Sequence, residues 1–345
     1  MTSEVKVLRK TAFNFLFAVL LSLVTLAFIV GFSDVSDIVR ALGRVSLRWV
    51  MLVLVMMVCD WILESFTVKI FSNAYDVDMK FLYAVKITLI GAFFSAVTPF
   101  STGGQPAQIA FASKRKLPPG KMSAVLVSRF IVYQIVITLL GIVGVFGAYR
   151  ILSQNITKLA LLAFLGFALN AGVLMFLVIF SINRKLAEKF VLVIFKPFLF
   201  FKIVKNPMKI TRKIVEQVKL FHEGMKISVK KPQQLALALS ATMVQILIRA
   251  SMPFFVATSL RVSCSYGDVL IFHLALFLVV SMIPTPGASG ASEGGYVLFF
   301  QSLFGQNTVA TLLVWRFFTY YINIAVGGVA AIQETRRLAS QSKSA

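Results

Sequence analysis

Long apolar runs separated by short polar segments dominate this chain. The runs are 17 to 26 residues long, and a helix of about 20 apolar residues crosses a bilayer core of roughly 30 Å. The pattern therefore predicts an all-α polytopic membrane protein. The runs cover residues 14–32, 47–66, 81–97, 123–148, 159–181, 233–258, 267–283 and 309–332.

Composition supports the membrane class. Of the 345 residues, 58% are hydrophobic and 14% are charged, and the mean hydropathy is +0.86, which exceeds what the core of a soluble domain needs. We therefore expect a single membrane domain over residues 1–345. The first run follows Lys6, Arg9 and Lys10, but no small-residue cleavage site follows it, so we expect a retained anchor.

The net charge of +22 reports membrane topology first. Residues 182–232 contain thirteen Lys or Arg against three acidic residues, which predicts a cytoplasmic connector. The basic loop at 114–116 and the tail at 336–337 belong on the same side, so both termini of this cell-membrane protein are expected in the cytoplasm. At 196–207 basic and bulky apolar residues alternate, which suits anionic inner-leaflet lipids and not nucleic acid.

Two apolar runs are interrupted by residue types that belong in turns. The interruptions read VTPFSTGGQPAQIAF at 97–111 and PTPGASGASEGG at 284–295. The apolar piece after each break is only about 9 to 13 residues, or roughly 14 to 20 Å of helix, which cannot cross a bilayer. Keeping the basic segments on one side then predicts about six full spans and two re-entrant helical hairpins that enter from opposite faces and line a cavity.

The two broken stretches belong to an internal repeat. A shift of 187 residues places Thr98 on Thr285 and Arg129 on Arg316, and residues 98–141 share 11 identities in 44 positions with the shifted segment. The repeat elements cover about 81–148 and 267–332. Because the predicted topology gives them opposite orientations, they form an inverted repeat of the kind found in alternating-access carriers.

Each break precedes a short helix whose first N–H groups attract anions. Gln105 and Ser292 are predicted to cap these helices. Arg129 and Arg316 lie at mirror depths, about 10 Å below opposite interfaces, and a guanidinium suits phosphate. The alternatives are plain helix capping for the hydroxyls, and ion pairing or snorkelling for the arginines. The predicted lipid-binding residues are Thr98, Ser101, Thr102, Gln105, Arg129, Tyr133, Thr285, Ser289, Ser292, Glu293, Arg316 and Tyr320.

Other ionisable residues lie within the apolar runs. Asp60 and Glu64 share a helical face near the inner half of the second run, and we expect them to pair with Arg129. Arg249 is placed in the outer half of its run, about 10 Å away in depth, so we expect no pairing with Asp60. A supporting or proton-coupling role is predicted for these three. For Glu293, binding a cationic headgroup, carrying a proton and complementing the helix dipole are all open.

The segments TPFSTGGQPAQIA, PTPGASGASEGG and SRFIVYQ resemble the lysylphosphatidylglycerol synthase transmembrane-domain family, also called flippase-like. The resemblance covers about residues 10–335. In bifunctional members the membrane domain moves an aminoacylated phospholipid between leaflets and a separate soluble domain charges it. Because this chain stops at Ala345, the resemblance implies lipid translocation without synthesis.

The leading hypothesis is a lipid flippase that moves a phosphate-bearing headgroup through a polar groove at the midplane. The rivals are an intramembrane transferase, for which Asp60, Glu64 and Glu293 are candidate acids and bases, and a small-solute carrier. No metal, cofactor or catalytic constellation is expected, because no Cys or His spacing suits a metal and no phosphate-binding loop or hydrolase motif occurs. A homo-oligomer is a further partner that the sequence allows.

Overall fold

The computed structural model describes residues 35–151, 157–200, 207–280 and 285–343, with a few isolated positions before residue 32. All elements in these ranges are helices or helical turns. The turns are Pro99–Ser101, Pro286–Ala288 and Gly305–Asn307, and Phe317–Ile322 is a π-helical segment. The helices are α1 Val35–Leu42, α2 Leu47–Ala74, α3 Phe81–Ala96, α4 Gly104–Lys114, α5 Pro119–Ile151, α6 Thr157–Ile182, α7 Arg184–Phe200, α8 Pro207–Lys230, α9 Pro232–Ser259, α10 Tyr266–Val280, α11 Ala291–Phe304, α12 Thr308–Arg316 and α13 Asn323–Lys343.

Four helical segments in the described ranges are long and apolar enough to cross a membrane: Leu47–Ala74, Pro119–Ala148, Pro232–Ser259 and Pro286–Gln341. A fifth candidate is the pair Gly166–Ile182 and Arg184–Val193, which is bent by 106°. Among the predicted full spans, the first one, at 14–32, lies largely outside the described residues. The all-helical membrane class is thus confirmed, with four to five candidate spans.

The outer surface of the bundle is apolar. Leu82 is 81% exposed, Leu47 is 72% exposed and Phe146 is 68% exposed. Large apolar side chains exposed in this number are expensive in water, whereas lipid tails accept them without cost. This surface is therefore suited to the hydrocarbon region of a membrane.

Helices α2 and α9 form an antiparallel pair with extensive mutual contacts. At one end Ser46 donates its N–H to the carbonyl of Ser259 at 2.8 Å. At the other end the Lys231 ammonium donates to the carbonyl of Ala74 at 3.1 Å. The pair gives the molecule two defined ends, which we name the Ser46 end and the Ala74 end.

Helices α3 and α4 form an antiparallel hairpin. Gly104, at the start of α4, lies against Ser95 near the end of α3. One turn later the Gln108 amide donates to the carbonyl of Ile87 at 3.1 Å. The contacts move back along α3 as the chain advances along α4, so the broken stretch forms the tip of the hairpin.

Helices α10 and α11 form a second hairpin with the same plan. Gly295 lies against Leu276, and one turn later Phe299 packs on Phe272 with ring centroids 6.2 Å apart. The turn Pro286–Ala288 forms the tip of this hairpin and contacts the turn Pro99–Ser101 of the first hairpin. The two breaks of the sequence therefore meet in space.

The order of elements recurs at the spacing found in the sequence. Adding 187 to the bounds of the first turn gives Pro286–Ala288, and adding it to Gly104 gives Ala291, where α11 begins. Helix α3 starts beyond Ala74, whereas α10 starts beyond Ser259, so the two hairpins begin at opposite ends of the α2–α9 pair.

The basic segments collect at the Ala74 end. Arg115, just after α4, bonds to Glu334 near the end of α13 through distances of 2.5 and 2.9 Å, and Lys86 lies 3.4 Å from the same carboxylate. In the connector, Gln217 of α8 accepts the N–H of Gly120 at 2.8 Å. Residues 201–206, at the centre of the predicted interfacial stretch, lie outside the described residues.

Candidate functional site

The first tip is built by its own side chains. The Thr98 hydroxyl donates to the carbonyl of Phe94 at 2.7 Å and accepts the N–H of Gly103 at 2.8 Å. Ser101 adopts a φ of 54°, a left-handed conformation that is uncommon outside glycine. Ser101 and Thr102 are exposed, so their hydroxyls are accessible at the tip.

The predicted cap of α4 was wrong. The helix begins at Gly104 and its N-cap is Gly103, so Gln105 lies inside the first turn. The reason is the hydrogen bond from the Gly103 N–H to the Thr98 hydroxyl, which closes the turn two residues earlier than a Gln105 cap would.

The second tip uses a different device. Thr285 donates its hydroxyl to the carbonyl of Ser289 at 2.7 Å, and Gly290 is the N-cap of α11 with a φ of 90°. The predicted Ser292 cap was therefore also wrong. Glu293, the third residue of the helix, reaches back so that its Oε2 accepts the Gly290 N–H at 2.7 Å, which is the acidic half of a capping box.

Glu293 also balances the arginine of the same repeat. Its Oε1 lies 2.8 Å from Nη2 of Arg316, and the two side chains are 0% and 5% exposed. A buried charge is tolerated when an opposite charge lies beside it. Glu293 therefore lies in the first turn of α11, where it complements the helix dipole, and also forms an ion pair with Arg316.

Tyr320 lies between the two tips. Its hydroxyl donates to the carbonyl of Ala96, at the end of α3, across 3.4 Å. Its ring lies against Gly287 of the second tip, where a Cβ would collide with it, and the Arg316 guanidinium carbon lies 4.9 Å from the ring centroid. The ring belongs to the π-helical segment Phe317–Ile322, and such segments are frequent at functional sites.

The arginine of the first repeat pairs with another helix. Arg129 Nη1 donates to Glu64 Oε1 of α2 at 2.8 Å, which confirms the expected pairing with Glu64. The same expectation for Asp60 was wrong, since Asp60 bonds to Arg249 instead. Tyr133, one turn further along α5, packs against the buried apolar cluster that includes Ile246 and Ala250 of α9. The contacts described for Arg129 lead to α2, and they do not bring it to Thr98, Ser101 or Thr102 at the first tip.

The expectation that Asp60 and Arg249 do not pair was wrong. Arg249 donates to both Asp60 oxygens, at 3.1 and 2.7 Å, and Gln245 donates to Asp60 at 3.1 Å. The depth estimate failed because α2 continues to Ala74, so Asp60 lies at the middle of the helix. Measured from the Ser46 end, the two Cα atoms differ by about 5 Å in depth, which an arginine side chain spans.

Several contributors were missed by sequence reasoning. A cavity of about 150 Å³ lies beside Arg316 and is lined by His273, Trp315 and Thr319, which were not predicted, by Ser292, which was, and by apolar side chains of α10. Trp61 donates to the Asn323 side chain at 2.6 Å. A lone histidine or tryptophan in an apolar run carries no spacing signal, so only packing reveals these contacts. Within the described ranges, no His, Cys, Asp or Glu group could hold a metal ion.

Comparison with known families agrees with the fold. A family model described as "Lysylphosphatidylglycerol synthase TM region" matches residues 15–327. These residues include both hairpins and the helices that carry Arg129 and Arg316. Among curated proteins, none matches the chain. The chain is therefore a multi-pass membrane protein with a membrane lipid-related function, and it belongs to the family of the lysylphosphatidylglycerol synthase transmembrane region.

Proposed function

We propose that this protein moves a phosphate-bearing membrane lipid between the two leaflets of the cell membrane. The observation that carries the proposal is the contact between the two broken tips, Pro99–Ser101 and Pro286–Ala288. Helical hairpins that stop at mid-depth expose backbone that lipid tails cannot satisfy, so the tips favour a wet cavity between them. A polar headgroup crosses there while its acyl chains stay in the bilayer.

The hairpins act as an inverted repeat in this proposal. They begin at opposite ends of the α2–α9 pair, and their elements correspond at a spacing of 187 residues. Two structurally equivalent halves of opposite orientation can exchange conformations, so that each end opens in turn. Tyr320, which lies between the tips, is the side chain that must move when they separate.

We place the Ala74 end in the cytoplasm. The connector, the loop around Arg115 and the end of α13 lie there, and excess Lys and Arg mark cytoplasmic segments. The Ser46 end carries fewer basic residues, namely Arg40, Arg44, Arg48 and Arg261. Both termini then face the cytoplasm. Exposed cations of α8, such as Lys219 with 56% of its side chain exposed, are available to anionic lipids of the inner leaflet.

The arginine pairs favour recognition of phosphate. Arg316 and Arg129 are each neutralised by one carboxylate, which makes a guanidinium tolerable inside the bundle. One carboxylate contact leaves other N–H donors of the five that each guanidinium carries. A phosphate that approaches either arginine therefore finds charge and donors together.

The surroundings of the buried carboxylates favour transport of an unchanged lipid over a group-transfer reaction. Asp60, Glu64 and Glu293 each lie against an arginine, so each carboxylate already has a guanidinium as its partner, which favours charge balance over an acid or base role. We therefore propose that these carboxylates balance charge and that no bond of the lipid changes.

Purified protein in liposomes tests the proposal. A fluorescent phosphatidylglycerol in the inner leaflet is protected from dithionite, and transport exposes it. We expect the parent to accelerate this exposure and the pair of substitutions Arg129→Gln and Arg316→Gln to abolish most of the acceleration. Arg184→Gln, which alters an exposed pair with Glu188, is the matched control. Equal rates for the parent and for empty liposomes would overturn transport, and altered lipid masses would favour a transferase.

A further inference from the structure

The cavity beside Arg316 is a partly open pocket whose mostly apolar lining includes several polar side chains. It occupies about 150 Å³ between α10, α11 and α12, whereas one water takes about 30 Å³ of the liquid. Its polar lining consists of His273, Ser292, Trp315, Arg316 and Thr319. The space is large enough for a phosphate group with a short polar substituent, but it is too small for acyl chains.

Three side chains of the lining carry nitrogen atoms without a hydrogen-bond partner among the described residues. They are Nε2 of His273, Nε1 of Trp315, and Nε and Nη2 of Arg316, of which Nη2 is ion-paired with Glu293. These residues are 0%, 7% and 4% exposed, and an unsatisfied buried polar group is energetically costly. Open hydrogen-bonding positions on three neighbouring side chains around one cavity indicate a ligand that satisfies them together.

The three side chains form one cluster. The rings of His273 and Trp315 are 5.5 Å apart at 78°, and the Arg316 guanidinium carbon lies 5.5 Å from the Trp315 ring centroid. Ser292 is the second residue of α11, so the positive end of that helix dipole faces the same region. The Trp315 N–H, the positively charged Arg316 guanidinium with its N–H donors and a helix start converge here, and this combination suits an oxyanion.

His273 adds an acceptor to these donors. Its Nδ1 lies 3.0 Å from the carbonyl of Ala250, and a carbonyl can only accept, so Nδ1 carries the proton. The Nε2 atom of the neutral ring is then a lone-pair acceptor. A ligand that fills all three roles carries a phosphate oxyanion and, next to it, a hydroxyl or ammonium donor.

The first repeat lacks this pocket. The equivalents of His273, Trp315 and Ser292 at a spacing of 187 are Lys86, Ser128 and Gln105. Lys86 contacts Glu334 and Ser128 contacts Tyr75, so both are used elsewhere. The pocket is thus a property of the second half and not a general result of the repeat.

We infer that this pocket is a binding site for the phosphate of a headgroup that also carries a neighbouring hydroxyl or ammonium donor. The inference rests on the proposed lipid transport for its role, since it makes the second half the resting site of the headgroup. The phosphate contacts Arg316 Nε and Trp315 Nε1, and the neighbouring donor contacts His273 Nε2.

Calorimetric titration of the purified protein in detergent tests the pocket. The probes are dihexanoyl phosphatidylglycerol, inorganic phosphate and uncharged dihexanoylglycerol. Trp315→Phe keeps an aromatic side chain and removes the indole N–H, and His273→Phe removes the acceptor. We expect each change to weaken phosphatidylglycerol binding about five- to tenfold, since one hydrogen bond of 1.4 kcal/mol is a factor of ten. Trp49→Phe, which lies outside the pocket lining, is expected to bind as the parent does.

The outcomes separate the sources of the phosphate. Tighter binding of phosphatidylglycerol than of inorganic phosphate supports a lipid headgroup, and equal binding with the same dependence on Trp315 supports a free phosphate in this pocket. Unchanged affinity in both variants, or equal binding of dihexanoylglycerol, overturns the pocket. If the parent transports lipid while Trp315→Phe binds phosphatidylglycerol normally, the pocket is wrong and the transport proposal stands. If binding depends on Trp315 but the parent does not transport lipid, the transport proposal is wrong and the pocket stands.

Discussion

Glu293 and Arg316 lie side by side with 2.8 Å between Oε1 and Nη2, and the other Glu293 oxygen closes the first turn of α11 on Gly290. One carboxylate thus joins the tip of the second hairpin to α12, the helix that carries Arg316. Because both side chains are buried, the contact connects charge balance, hairpin geometry and the adjacent pocket.

Removal of this carboxylate should be costly. Glu293→Ala leaves Arg316 as a buried charge without its counter-ion and opens the cap at Gly290, so we expect a loss of about 3–5 kcal/mol in the free energy of unfolding. Unfolding by sodium dodecyl sulfate in mixed micelles measures the change. Glu223→Ala, at an exposed pair with Lys219, is the control and should alter stability little. A Glu293→Ala protein as stable as this control would contradict the role of the pair.

Asp60 and Arg249 should behave as one energetic unit. Asp60→Asn and Arg249→Gln each leave a polar partner unpaired inside the bundle. The sum of the two single losses of unfolding free energy is therefore expected to exceed the loss in the double variant. The expected coupling energy is about 0.5–3 kcal/mol. The same mixed-micelle unfolding applied to the four proteins of a double-mutant cycle measures it, and strictly additive effects would show that the two hydrogen bonds carry no net stabilisation.

Gly287 should be the more sensitive of two glycines near the second tip. It has a φ of 58° and the Tyr320 ring occupies the space of a Cβ, so Gly287→Ala is expected to lower the thermal midpoint and slow lipid transport. Gly294, an exposed residue of α11, has no heavy atom within 4 Å of an added Cβ. Gly294→Ala should be neutral or stabilise the helix by up to about 1 kcal/mol. A tolerated Gly287→Ala would indicate that the tip is looser than the contact with Tyr320 implies.

The starts of the two hairpins should label from opposite sides of the membrane. Asp78 and Ser265 are equivalent at a spacing of 187 residues, and both are exposed ahead of α3 and α10. In a background without Cys59 and Cys264, an impermeant maleimide should label Ser265→Cys in intact cells. It should label Asp78→Cys only after permeabilisation. Equal labelling of both positions in intact cells would contradict the prediction that the two hairpins start on opposite sides of the membrane.

Elements that depend on local pattern were predicted well from the sequence. Apolar length predicted long apolar helices, of which four to five in the described ranges are candidate spans, and Thr98-Pro99 with its copy Thr285-Pro286 marked the two breaks. Periodicity and turn chemistry act over a few residues, so they can be read from the chain directly. Helix starts were less predictable, because the Thr98 hydroxyl accepts the N–H of Gly103 ahead of it and Glu293 reaches back to the N–H of Gly290, and these contacts place the caps at Gly103 and Gly290.

The partners of the buried charges required the fold. Sequence spacing suggested Glu64 for Arg129, but the pairing of Asp60 with Arg249 depends on how far α2 extends and on the register of α2 against α9. His273 and Trp315 gave no signal at all, since each is one side chain in an apolar run whose role depends on neighbours from other helices.

By itself the sequence determined the membrane class, the positions of the breaks and the 187-residue repeat, because burial in lipid imposes helix length and a broken helix requires turn residues. Only the tertiary structure decided that the two tips touch, that Tyr320 lies between them and that Arg316 lies beside a pocket. These relationships join residues far apart in the chain, and they depend on the relative positions and rotations of packed helices, which local propensity does not specify.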